Sequence, residues 1–121
     1  MRIMVVDDSN VIRNKIERSI KTTEFEFVGS AKNGLEAVEQ FKMLRPTILT
    51  MDITMPEMDG IETIKAIMQI TEDVRILVVS ALADKATAIE ALKQGAHGFL
   101  CKPFSDLDME EALEELIEDL A

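Results

Sequence analysis

The sequence predicts a doubly wound α/β fold: one five-stranded parallel sheet with five covering helices. Five short runs rich in β-branched residues are spaced along 121 residues, and each is followed by a stretch whose apolar residues recur at helical spacing. Three of the runs lack the polar alternation of a half-exposed strand, the pattern expected where helices cover both faces of a sheet.

Taken in order, residues 3–6 form the first strand, and Ile12, Ile16 and Ile20, four apart, mark the inward stripe of the first helix. Residues 25–28 are the second strand; Leu35, Val38 and Phe41 follow as a helix that opens on Asn33 and Glu36. Residues 48–51 form the third strand, with Ile61, Ile64, Ile67 and Met68 on its helix. Residues 76–79 form the fourth, and its helix, carrying Ala86, Ile89 and Leu92, stops at Gly95, a residue suited to the left-handed position after a helix end. Residues 99–101 form the fifth. The last helix places Met109, Leu113, Leu116, Ile117 and Leu120 on one face, opens on a Ser105/Asp108 capping box and is expected to run to the last residue. Met4, Met51, Met68 and Met109 fall on core periods, Cys101 reads as a buried strand residue and His97 as a surface loop residue.

At 47% hydrophobic and 30% charged residues the chain is globular, not disordered, and its length fits one domain, residues 1–121, with no output module. A lone cysteine excludes an internal disulfide and a thiolate zinc cluster, and fits a reducing cytoplasm. No apolar stretch reaches membrane-spanning length, so no membrane role is expected. A net charge of −10 disfavours nucleic acid as a partner. The excess is local: residues 106–121 hold eight acids and no base, while the rest of the chain is nearly balanced.

In an open parallel sheet, ligands bind beyond the carboxyl ends of the strands. There the first strand runs into Asp7 and Asp8, the third into Asp52, the fourth ends in Ser80 and the fifth in Lys102-Pro103. Two carboxylates about 5 Å apart repel by roughly 3 kcal/mol at an effective dielectric near 20, so three of them call for a counter-cation. Hard oxygen ligands fit Mg²⁺, with Mn²⁺ able to substitute, and not Zn²⁺. Alone, each feature has an ordinary explanation, such as acids at a positive helix end. Together they place three carboxylates, a hydroxyl and an ammonium on one sheet edge.

Val5-Val6-Asp7-Asp8-Ser9, the loop from Asp52 through Pro56 to Gly60, Ser80-Ala81 and Lys102-Pro103-Phe104 stand in the order of a known family. The chain resembles, end to end, the response-regulator receiver domains, and among them the stand-alone chemotaxis type. The resemblance implies a flavodoxin-like sheet of order 2-1-3-4-5. It implies that Asp52 accepts a phosphoryl group from a sensor histidine kinase, with Asp7, Asp8, Asp52 and the backbone carbonyl of Thr54 holding Mg²⁺. It assigns Lys102 and Ser80 to the phosphoryl oxygens, Ser80 and Phe99 to the conformational switch, and Thr54 and Leu82 to tuning of hydrolysis. It further implies a monomeric cytoplasmic signalling protein that is not an enzyme in its own right, partnered by a kinase and by a downstream target or a phosphatase.

Phe99 stands where chemotaxis members usually carry tyrosine, which puts motor binding in question; a phosphate-sink or phosphorelay role is the alternative. An Mg²⁺-dependent aspartyl phosphatase resembling the haloacid dehalogenases is more remote, because Asp7 and Asp8 are adjacent where that chemistry uses Asp-x-Asp. A flavin binder is disfavoured by two carboxylates in the loop where a phosphate would sit.

Overall fold

The computed structural model describes residues 1–21, 24–53, 60–81 and 85–118. The chain alternates β1 (Arg2–Val6), α1 (Asn10–Ile20), β2 (Glu26–Ala31), α2 (Gly34–Leu44), β3 (Ile48–Asp52), α3 (Gly60–Ile70), β4 (Arg75–Ala81), α4 (Lys85–Lys93), β5 (Gly98–Lys102) and α5 (Asp106–Leu116). All four strand pairings are parallel, in the order β2-β1-β3-β4-β5, so the winding reverses beside β1 and opens a crevice beyond the ends of β1 and β3.

Side chains alternate along each strand, which divides the core in two. Met4, Leu49, Met51, Ile76 and Val78 pack against α2, α3 and α4. Ile3, Val5, Ile48, Leu77 and Val79 pack against Ile16 and Ile20 of α1 and Met109, Leu113 and Leu116 of α5. β3 is buried along its whole length, as a central strand covered on both faces must be.

Helix starts follow local chemistry. Ser9 caps α1 by accepting from the Ile12 N–H, and Asn33 caps α2 by accepting from the Glu36 N–H at 2.8 Å. Ser105 and Asp108 form the full capping box of α5, and those hydrogen bonds from Ser105 hold the Asp108 carboxyl below the usual carboxylate range. Its contribution to stability is present above the unfolded pKa and fades as pH falls through the lower folded one. Gly95 has φ 123°, the left-handed geometry expected after α4.

Several elements differ from the sequence reading. β2 continues through Gly29 and Ser30 to Ala31 because the β1 ladder carries it beyond the apolar run. In α4 the buried stripe is Ala88 and Ala91, while Ala86, Ile89 and Leu92 face outward. Two apolar stripes compete there, and alanines let the helix lie closer to the sheet. Leu35 of α2 is likewise exposed, with Ala37 and Phe41 turned inward. α5 does not continue as one helix: it ends at Leu116 with Ile117 as its cap, and Leu120 lies outside the described residues. Cys101 is only half-buried, on the edge strand β5. His97 is exposed as expected, but its Nδ1 accepts the Ile76 N–H at 3.1 Å and so extends the β4–β5 ladder by one side-chain bond.

Candidate functional site

The described polar strand ends meet at the carboxyl edge. Alternation puts Asp7, Asp52 and Lys102 on the face that packs α1 and α5, since Val5, Ile48 and Leu100 of the same strands point there. Asp7 is 1% exposed and Asp52 6%. With Asp8, which is exposed, they offer carboxylate oxygens that all lie within 4.8 Å of one another. The Lys102 Nζ lies 2.9 Å from Asp7 Oδ2 and 3.7 Å from Asp52 Oδ1, so the ammonium bridges the two buried acids and sits closer to Asp7.

Asp7 is held on every side. Its backbone N–H donates to the Ala31 carbonyl at 3.1 Å, its Oδ1 accepts the Ser9 N–H at 2.9 Å and its Oδ2 accepts from Lys102. Its carbonyl accepts from Arg13 Nη1 at 2.6 Å. Lys102 is fixed from the other direction. The chain after it turns through a cis Lys102–Pro103 bond to Phe104, whose carbonyl accepts from Lys15 and whose ring centre lies 4.4 Å from the same ammonium. Ser19 Oγ donates to Asp106 Oδ1 at 2.7 Å, completing the contacts between α1 and the start of α5. Helix α1 thus grips both loops that carry the ion pair.

At the end of β3 the backbone is equally constrained. The Gly60 N–H donates to the Ile53 carbonyl at 2.8 Å, and a Cβ at residue 60 would stand 2.5 Å from Ile53 Cα and 2.6 Å from the Asp52 oxygen. Only glycine lets α3 begin this close to Asp52. One pleat below Asp52, Thr50 is fully buried and its hydroxyl finds no hydrogen-bond partner among the described residues.

Ser80 is buried and belongs by alternation to the opposite face, with Ile76 and Val78. It pairs with Cys101 in the β4–β5 ladder, and Phe99 pairs with Val78, so Phe99 lies two residues below Ser80 on one face. The half-buried Phe99 ring packs on the α2–α4 core. Thr54, Leu82 and the rest of the loop at residues 54–59 lie outside the described residues.

The donor set suits a divalent cation: three clustered hard carboxylates, two of them buried, with one ammonium shared between those two. The family model for the response regulator receiver domain matches residues 3–114. The chain belongs to the response-regulator receiver domains. Among curated relatives, this receiver is 46% identical to the chemotaxis protein CheY of Thermotoga maritima over 115 residues, 95% of this chain and 96% of that one. It is 41% identical to the chemotaxis protein CheY of Bacillus subtilis over 116 residues, 96% and 97% of the two chains. Among solved structures, the CheX-CheY-BeF3-Mg complex of Borrelia burgdorferi superposes with a TM-score of 0.91 at 28% identity, covering 97% of this chain and 89% of that one. The chain is therefore a receiver closely related to CheY, a response regulator of two-component chemotaxis signalling. Among the described residues no helix is long and apolar enough to cross a membrane.

The sequence had pointed to every charged residue of the cluster. It had not pointed to Arg13, Lys15 or Ser19: Arg13 reaches the Asp7 carbonyl and the Asn10 side chain, while Lys15 and Ser19 reach residues about 90 positions away; for Arg13 the one local signal was a basic residue a turn after an acidic pair.

Proposed function

We propose that Asp52 is the phosphoacceptor of this receiver and that its aspartyl phosphate switches the surface formed by α4, β5 and α5. The observation that supports this most is the buried Asp52 carboxylate beside Asp7 and Asp8, with the Lys102 ammonium 3.7 Å away. A carboxylate oxygen of Asp52 forms the new O–P bond as the N–P bond of a kinase phosphohistidine breaks; the electron pair and then a proton pass to the imidazole nitrogen. Lys102 steadies the Asp52 carboxylate beforehand and meets a phosphoryl oxygen afterwards. Asp7, Asp8 and Asp52 would hold Mg²⁺ or Mn²⁺, with the Thr54 carbonyl as a further ligand carried on family resemblance alone. When bound, the ion offsets charge that builds on the phosphoryl oxygens.

Ser80 donates its hydroxyl to a second phosphoryl oxygen, and this draws on the strand that faces Phe99. The ring of Phe99, half-buried on an edge strand, then has two places to pack. Thr54 and Leu82 are assigned to the access of hydrolytic water on the resemblance alone. In this reading the chain carries phosphoryl groups, assists its own phosphorylation and dephosphorylation, and processes no other substrate. It works as a cytoplasmic monomer between a sensor histidine kinase and a target or phosphatase.

The test is labelling of the intact chain with a small acyl phosphate, read by intact mass and peptide mapping. Mass gain of one phosphoryl group should require Mg²⁺ or Mn²⁺, and Asp52→Asn should abolish it. Undiminished labelling of that variant overturns the assignment.

A second reading concerns the target. Glu111, Glu114 and Glu115 of α5, with Glu118 just beyond its end, line one exposed side, next to a cleft of about 210 Å³ lined by Leu77, Phe99, Ala112 and Leu116. The last turn of α5 has no base to answer the negative helix end. Such a surface favours a basic-faced partner, or a phosphate-sink role, over a short acidic motor-switch helix.

A further inference from the structure

Neither the fold nor the phosphoryl chemistry accounts for Arg13. It lies one turn into α1, half-buried, and its guanidinium is turned back toward the end of β1. Nη1 donates to the Asp7 carbonyl at 2.6 Å, and Nη2 reaches the side-chain oxygen of Asn10. The other hydrogen-bonding groups of Asp7 are engaged by Ala31, Ser9 and Lys102. Arg13 therefore ties the helix to the short turn on which Asp8 stands.

That turn needs a tie. Asp7 is placed by burial and by its ion pair, whereas Asp8 is exposed, outside the buried core of the described residues. Its distance from Asp7 and Asp52 depends on the backbone between β1 and α1. We propose that Arg13 is a positioning residue for the divalent-cation site: by holding the Asp7 carbonyl it fixes the turn so that the Asp8 carboxylate converges with the other two before a cation arrives. This rests on the reading of the cluster as a Mg²⁺ site.

Charge and geometry make opposite demands here, which lets them be separated. A guanidinium near the carboxylates repels an incoming dication, so an electrostatic role alone means that removing Arg13 tightens Mg²⁺ binding. A positioning role means that removing it loosens binding.

The experiment is calorimetric titration of the intact chain with MgCl₂, alongside melting of the metal-free proteins. Arg13→Met should weaken Mg²⁺ binding about tenfold, as loss of partners that orient metal ligands does elsewhere. Its metal-free melting temperature should stay close to the parent's. Arg13→Lys keeps the charge but donates from a single nitrogen and cannot span both acceptors, so its binding should fall about two- to threefold. Because Lys holds charge constant, its loss is geometric, and this comparison stands even where the Met variant fails to fold. Binding by Arg13→Met equal to or tighter than the parent, or parent-like binding by Arg13→Lys when the Met variant is unfolded, overturns the proposal. A parent chain that takes up no Mg²⁺ overturns the metal-site reading itself, and the positioning role falls with it.

Discussion

On the sheet face packed by α1 and α5, β1 runs into Asp7 and β3 and β5 end in Asp52 and Lys102; on the face packed by α2, α3 and α4, β4 and β5 carry Ser80 and Phe99. The first face is pinned by ion pairs, caps and the grip of α1 on two loops, and its groups sit in fixed places. The second has a half-buried aromatic on an edge strand beside a helix whose buried stripe is only alanine. The contrast shows how a two-residue period separates tasks. β5 joins both faces because Phe99 and Lys102 are three residues apart and so of opposite parity. In the proposed switch, β5 is the single short strand through which a pull on Lys102 would reach Phe99.

The largest expected effect comes from breaking the pinned face. Lys102→Met removes the counter-charge next to two buried carboxylates and should lower the stability of the metal-free protein by about 2–3 kcal/mol, moderated because Lys102 is itself 24% exposed. Millimolar Mg²⁺ should restore more stability to this variant than to the parent. Urea unfolding with and without Mg²⁺ measures both; equal stability of the metal-free proteins would mean that the ion pair contributes little.

The looser face should separate stability from chemistry. Phe99→Ala removes a half-buried ring and is expected to cost about 2 kcal/mol while leaving the initial rate of labelling by an acyl phosphate within about twofold. A large drop in that rate would show that the two faces are not divided as their parity implies.

The smallest effect concerns the exposed partner surface. A tyrosine hydroxyl at residue 99 would offer one more hydrogen bond, typically worth about 0.5–1.5 kcal/mol. Titrating the beryllofluoride-treated chain with an acidic motor-switch peptide should give no micromolar binding at physiological salt, and Phe99→Tyr should gain no more than about tenfold. Micromolar binding by the parent would restore the plain motor-output reading.

The fold was legible because buried parallel strands and amphipathic helices write their periods directly: β1, β3 and β4 differ from expectation only at their ends. α4 was legible as a helix but not in its orientation, since Ala86, Ile89 and Leu92 compete with Ala88 and Ala91 and only the sheet beneath decides between them. The site was legible in its charged residues because each stands at, or within two residues of, the carboxyl end of a strand. Its supports were not, because the Lys15 contact with Phe104 and the Ser19 contact with Asp106 join residues that no local pattern links. Thr50 read as one more strand residue, and nothing in its neighbours marked a hydroxyl without a partner among the described residues.

The chain holds neither tryptophan nor tyrosine, so its own absorbance and emission near 290 nm say almost nothing about its state. The backbone amide of Ser9 supplies what those rings would have: its proton lies on Asp7 Oδ1, the partner oxygen of the one bonded to Lys102. Under the proposed mechanism the ammonium turns toward the phosphoryl group, which should redistribute charge on the Asp7 carboxylate and shift that amide resonance. A single nitrogen–proton correlation peak would thereby become a gauge of where the lysine points that needs no attached dye.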